Sequence, residues 1–170
     1  MRTNGDDRAP LLHGFAPIIG DRPEVLVLGN APSVLALAKV QYYGNPRNAF
    51  WPIAGELYGF DPTGPYDQRA AVLTANRVAV WDVLASCRRA GSLDSAVEPD
   101  SMVANDFGAL FAARPTIRRV LFNGAAAEKN FRRLVPGELD VHFQRLPSTS
   151  PAQTMRFEAK LAAWRAALLG

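Results

Sequence analysis

The chain has 170 residues, 48% apolar and 21% charged, a balance that fits one globular domain with a substantial core. Its formal charge of +3 and pI near 9.3 are mildly basic, which suits a polyanionic partner without demanding one. The single cysteine, Cys87, excludes an internal disulfide and any zinc or iron–sulfur centre built on several thiolates.

Met1 to Pro10 is polar and reads as a loose tail, without the apolar run of a secretion signal; residues 11–170 are expected to form one domain. No stretch approaches the roughly 20 apolar residues of a membrane span, so a cytoplasmic protein is expected. Glu24 to Leu28 is a continuous apolar run between Pro23 and Gly29 and predicts a buried strand. Further strands are predicted at Arg77–Trp81, Ile117–Phe122 and Val141–Leu146. Helices fall between them. Ser33 is placed to cap Val34–Ala38, Phe50, Ile53, Ala54 and Leu57 share one face, and Tyr66–Asn76 follows the turn-rich Gly59–Pro65. Cys87 is expected on a buried helix. Asp106 is a plausible cap for Phe107–Ala113, and Ala125–Leu134 follows the third strand. A last helix is expected from about Pro151 to Leu168, with Phe157, Leu161, Trp164 and Leu168 on one stripe.

Strands alternating with helices predict an α/β fold with a parallel sheet covered on both faces. Ligands bind such sheets beyond the carboxyl ends of the strands. The loops after the four predicted strands are the polar ones: Gly29–Ser33, Trp81-Asp82, Asn123-Gly124 and Pro147–Pro151. Gln41 to Trp51 adds a dense set of functional groups, Tyr42, Tyr43, Asn45, Arg47, Asn48, Phe50 and Trp51. Aromatic faces suit a nucleobase, amides read a base edge or hold a water, and a guanidinium suits a phosphate. Asn48 also reads as a helix cap, with Phe50 and Trp51 as core. Ser148, Thr149 and Ser150, between two prolines at a helix start, form either a phosphate cradle or an over-capped helix. Asp82 and Asn123 either meet a ligand or cap the next segment. No Gly-Lys-Ser/Thr follows Gly29, no Gly-x-Gly-x-x-Gly is present, and His13 and His142 form no catalytic pair.

In their order these pieces resemble the uracil-DNA glycosylase superfamily, and most closely the hypoxanthine-DNA (deoxyinosine) glycosylase branch, related to the mismatch-specific uracil glycosylases. The resemblance is carried by Gly29-Asn30-Ala31-Pro32-Ser33, by Tyr42-Tyr43-Gly44-Asn45-Pro46-Arg47-Asn48-Ala49-Phe50-Trp51, by Trp81-Asp82-Val83 with Cys87 and Gly91-Ser92-Leu93-Asp94, and by Leu146 to Ala152. It spans His13 to the C-terminus. Ser33 departs from the usual second glycine and Asn45 from the usual histidine. The resemblance implies a three-layer α/β/α sandwich with a four-stranded parallel sheet. It implies base excision from DNA by hydrolysis of an N-glycosidic bond, with no cofactor, metal or iron–sulfur cluster, no membrane partner, a monomer, and a place at the nucleoid. It puts the key amide at Asn48, and Asn30 adjoins the position where mismatch-type relatives carry theirs. It implies Phe50 as the base-stacking aromatic and Asp82 as the reader of the base edge; Tyr43 is expected to share the stacking wall, and Asn123 is the candidate donor to the base's ring oxygen. Arg47 and Ser148–Ser150 would grip DNA, and Leu146, Pro151 or Met155 would supply the wedge. A catalytically idle nucleotide- or damaged-DNA-binding module, and a nucleosidase for free nucleosides, are the alternative readings.

Overall fold

In chain order the strands are β1 (Leu11–His13), β2 (Val25–Gly29), β3 (Val78–Asp82), β4 (Leu84–Arg88), β5 (Val103–Ala104), β6 (Arg119–Asn123) and β7 (His142–Leu146). The helices are α1 (Val34–Lys39), α2 (Phe50–Tyr58), α3 (Tyr66–Ala75), α4 (Phe107–Ala113), α5 (Ala125–Leu134) and α6 (Phe157–Leu169). The structure, a computed structural model, describes residues 8–170, and most of the expected tail lies outside them. Ala9 and Pro10, inside that expected tail, are tied down. The Ala9 N–H donates to the Glu98 carboxylate, and the Pro10 carbonyl accepts from the Arg89 N–H.

β3, β2, β6 and β7 pair in that order as a four-stranded parallel sheet. Parallel strands buried on both faces need continuous apolar runs, which β2 supplies with every residue buried. The two-residue period of a strand sends its side chains to opposite faces. Leu26, Leu28, Val120 and Phe122 meet Phe107 of α4 and Phe131 of α5 on one face. Val25, Val27, Val80 and Leu121 meet Phe50, Trp51, Leu73 and Trp164, from α2, α3 and α6, on the other. The result is the expected α/β/α sandwich. The chain runs from β2 to β3 on one side and then to β6 on the other, so the carboxyl end of β2 is a topological switch point.

Two expectations are corrected. Leu84–Arg88 is strand β4, not helix, and pairs antiparallel with β1 and β5 in a small second sheet. Cys87 is fully buried there. The last helix starts at Phe157, because Pro151 to Met155 turns instead of coiling. Ser33 and Asp106 do cap α1 and α4, accepting from the Ala36 and Ala109 N–H groups. Among the described residues no helix is long and apolar enough to cross a membrane.

Candidate active site

A cleft opens at the carboxyl ends of the sheet strands. Gly29 to Ser33 lines it from the end of β2, Asp82 from β3, Asn123 from β6, and Ser148 to Ser150 from the loop after β7. Tyr43 and Asn48 enter from the segment between α1 and α2, and Ser92 and Asp94 from the loop after β4.

Gly29 makes this convergence possible. A Cβ there would lie 2.5 Å from Asp82 Oδ1 and 3.0 Å from the Tyr43 hydroxyl, so only glycine lets both groups close on the β2 backbone. The Tyr43 hydroxyl and Asp82 Oδ2 are buried without a hydrogen-bond partner among the described residues. Such atoms cost free energy unless a ligand satisfies them. Burial, reinforced by the charge of Asp94 and opposed by Arg89, pushes the Asp82 carboxyl up to about 7. Burial likewise pushes the Tyr43 phenol upward, so it stays a neutral donor. Tyr43 also holds a positive φ of 54°, a strained conformation for an aromatic residue.

The aromatic stretch divides its labour. Tyr42, Phe50 and Trp51 are core residues. The Tyr42 hydroxyl donates to the Phe15 and Ala16 carbonyls, and the Trp51 indole donates to the Tyr42 carbonyl at 2.8 Å. Phe50, expected to stack on the base, is 3% exposed and lines no part of the cleft. It packs instead behind Tyr43, with ring centroids 4.3 Å apart, and edge-on to Trp164. Arg47 is exposed on the same segment and does not line the cleft.

Asn48, expected as a cap or a site residue, stands one residue before the α2 cap, which is Ala49. Its Oδ1 accepts from the Phe50 N–H at 2.9 Å, which fixes the start of α2, while the residue stays half-buried in the cleft wall. A carbonyl oxygen has a second lone pair for a water. Asn30 is held differently. Its Oδ1 accepts from Asn130 of α5 at 2.8 Å, and its amide donates to Asp94 Oδ1 at 3.0 Å. Asn30 is thus held at both ends of its amide and is 6% exposed.

Asn123 grips the late loop at two points. Its amide donates to Thr149 Oγ1, and its carbonyl accepts from the Thr149 N–H, both at 2.9 Å. One amide hydrogen remains for a ligand. Gly124, with φ of 96°, lets Ser148 approach; a Cβ there would sit 3.0 Å from that of Ser148. From below, the Trp164 indole donates to the Pro147 carbonyl, and the buried Lys160 ammonium donates to the Ser150 and Gln153 carbonyls. The Ser148–Ser150 hydroxyls therefore do not sit on a helix N-terminus, since α6 begins beyond them. Leu146 is 3% exposed and cannot serve as a wedge; Met155 is 42% exposed. Thr149→Val is expected to lose about 1–2 kcal/mol in denaturant unfolding, because it strands the buried Asn123 amide.

Sequence reasoning missed four residues here. Ser92 and Asp94 entered only within a motif of the resemblance, and Asn130 and Arg89 carried no local signal. Arg89 is buried behind the cleft and donates to the Pro32 and Gly91 carbonyls, which ties two lining loops together.

No protein-family model matches the chain. Over 154 residues, 90% of this chain and 95% of the relative, it is 33% identical to a hypoxanthine DNA glycosylase of Methanosarcina acetivorans. It is 36% identical to a hypoxanthine DNA glycosylase of Methanosarcina barkeri over 65% of this chain and 70% of that one. Its structure superposes on the solution NMR structure of a Methanosarcina acetivorans protein described as a uracil DNA glycosylase. The TM-score is 0.78, with 31% identity and coverage of 94% of this chain and 97% of the other. With the four-stranded parallel sheet and its amide-lined cleft, this likeness over nearly the whole chain establishes that the protein belongs to the hypoxanthine DNA glycosylase family, within the uracil-DNA glycosylase superfamily.

Proposed function

We propose that the chain removes a deaminated base, hypoxanthine or uracil, from DNA by hydrolysing its N-glycosidic bond, with Asn48 holding the attacking water. The observation that carries this reading is the meeting of Asn48, Tyr43, Asp82 and Asn123 in one cleft at the sheet's switch point, in a chain of this family. The glycosidic bond is inaccessible inside a duplex, so the nucleotide must turn out of the stack. Tyr43, stiffened from behind by Phe50, is the face on which the base rests, worth about 1–3 kcal/mol. As a carboxylate, Asp82 accepts a ring N–H, which both hypoxanthine and uracil present. The free hydrogen of the Asn123 amide donates to a ring oxygen. Asn48 is the better holder of a water, because it is half-buried in the cleft wall, whereas Asn30 is 6% exposed and held at both ends by Asn130 and Asp94. Amides are weak bases, so bond breaking runs ahead of water attack and the site must stabilise a cationic sugar. Arg47 and the Ser148–Ser150 loop are assigned to the DNA backbone, where such groups fix register.

The test is an oligonucleotide holding one uracil, hypoxanthine or xanthine. Base loss leaves an alkali-labile site, and strand scission at that position after alkali is the expected result. A mobility shift with no base loss would make the chain a binding module. Cleavage of free inosine without action on DNA would make it a nucleosidase.

A further inference from the structure

Among the described residues the charged side chains lining the cleft are both acidic, Asp82 and Asp94, and no lysine or arginine lines it. That is the wrong sign for a polyanion. DNA-binding surfaces gain affinity from positive charge, so an exposed carboxylate at the mouth of such a cleft opposes binding unless a cation faces it. Arg89 does not line the cleft: it is buried, with Nε and Nη2 donating to the Gly91 and Pro32 carbonyls, and its charge reaches Asp94 and Asp82 from outside the lining without a hydrogen bond to either. The reaction itself produces a cation. When the C1′–N bond breaks, its electron pair leaves on the base nitrogen and the sugar becomes positive. Water oxygen then bonds to C1′, its proton passes to solvent, and the departed base takes up a proton from solvent.

We propose that Asp94 is the carboxylate that faces the cationic sugar, set in place by the Asn130–Asn30 amide pair. This rests on the glycosylase reading above. The carboxylate is preorganised as such a role requires. Asp94 Oδ1 accepts from Asn30 at 3.0 Å, and Asn30 is itself held by Asn130 at 2.8 Å. Both amides are buried. The loop is pinned on each side of Asp94: Ser92 Oγ accepts from the Val34 N–H at 2.9 Å, and the Asp94 carbonyl accepts from the Val97 N–H at 3.2 Å. Asp82 is less suited, since it lies deeper and burial favours its neutral form. Asn30 and Asn130 are positioning residues in this scheme. DNA covering the cleft would strip water from Asp94 and strengthen its field at the sugar.

Asp94→Asn isolates the charge, because the amide keeps an oxygen for the Asn30 hydrogen bond. The probes are two oligonucleotides of one sequence, one with a cationic pyrrolidine in place of the target sugar and one with a neutral tetrahydrofuran. The wild-type protein should bind the cationic probe about tenfold or more tightly, and Asp94→Asn should abolish that preference. Single-turnover excision should slow by about 30-fold, with thermal melting unchanged, and Asp94→Glu should recover part of both. Retained preference, together with excision within threefold of wild type, overturns the assignment. If Asn48→Ala is inactive while Asp94→Asn is fully active, the glycosylase reading stands and only this inference falls. The two probes report on Asp94 even with every candidate base left uncut, a result that would defeat the glycosylase reading instead.

Discussion

Asn48→Ala should lower single-turnover excision by about 10³-fold while DNA affinity stays within a few-fold of wild type. The structure makes this result interpretable, because Asn48 has a second task. Its Oδ1 accepts from the Phe50 N–H just before α2, so truncation also removes that turn hydrogen bond, worth about 1 kcal/mol. That loss is small against an ordinary stability of about 5–15 kcal/mol and leaves the fold intact. Asn48→Ser separates the two tasks. A serine oxygen restores an acceptor for that turn but draws back from the cleft, so stability should return toward wild type while excision stays lost. The measurements are excision of a single hypoxanthine or uracil under enzyme excess, anisotropy with an uncleavable analogue, and thermal melting. Wild-type excision by Asn48→Ala would remove this residue from the chemistry, and the proposed site would lose its water.

The parallel sheet was legible because buried parallel strands are written as unbroken apolar runs, and β2, β3 and β6 carry one near the expected place; the edge strand β7, His142-Phe143-Gln144-Arg145-Leu146, is mostly exposed and carries none. The small sheet was not. β1 and β5 are three and two residues long, and β4, Leu84-Ala85-Ser86-Cys87-Arg88, has no strong strand signature. Its pairing with Leu11–His13 on one side and Val103–Ala104 on the other, both outside its local sequence, decides its conformation. The start of α6 was misread for a related reason. Ser-Pro is a helix-start signal, but here the loop is held to Asn123 on one side and Lys160 on the other, and these tertiary bonds keep Ser150–Met155 in turns.

The site divides along the same line. Asp82, Asn123 and Ser148–Ser150 stand at strand ends, so topology alone aims them at one crevice. Asn130 sits in the middle of α5 and its partner is 100 residues away, so nothing local marks it. Phe50 shows the limit of a motif. Its neighbours pointed to a base, but the helical phase of α2 turns it inward, and of the aromatics in this stretch Tyr42 and Tyr43, the latter wrenched to a positive φ, line the cleft.

The second large effect concerns Asp82, and its sign is unusual. The carboxyl ordinarily loses its proton near 3.8, and in the folded protein it is pushed up to about 7, first by burial and then by the charge of Asp94, with Arg89 opposing. The folded state therefore binds this proton more tightly than the unfolded chain. Between about pH 4 and 7 the unfolded state has released the proton and the folded state has kept it, so stability falls as pH rises through that window. At about 1.4 kcal/mol per unit, the full span costs on the order of 4 kcal/mol. Asp82→Asn removes the titration. The variant should match wild type near pH 4 and exceed it above pH 7, melting higher by several degrees at pH 8. Excision should move the other way. Wild-type activity should climb with pH as the carboxylate forms and accepts the ring N–H, whereas Asp82→Asn should be slow and flat across the same range. Tyr43, Asp94 and Arg89 surround the group, and the Tyr43 phenol stays neutral throughout, so the climb follows Asp82 itself. A gain in stability with a loss of function is what a buried, unpartnered carboxylate oxygen kept for a ligand requires. A variant less stable than wild type at pH 8 would mean that Asp82 has an internal partner, and the base would lose its reader.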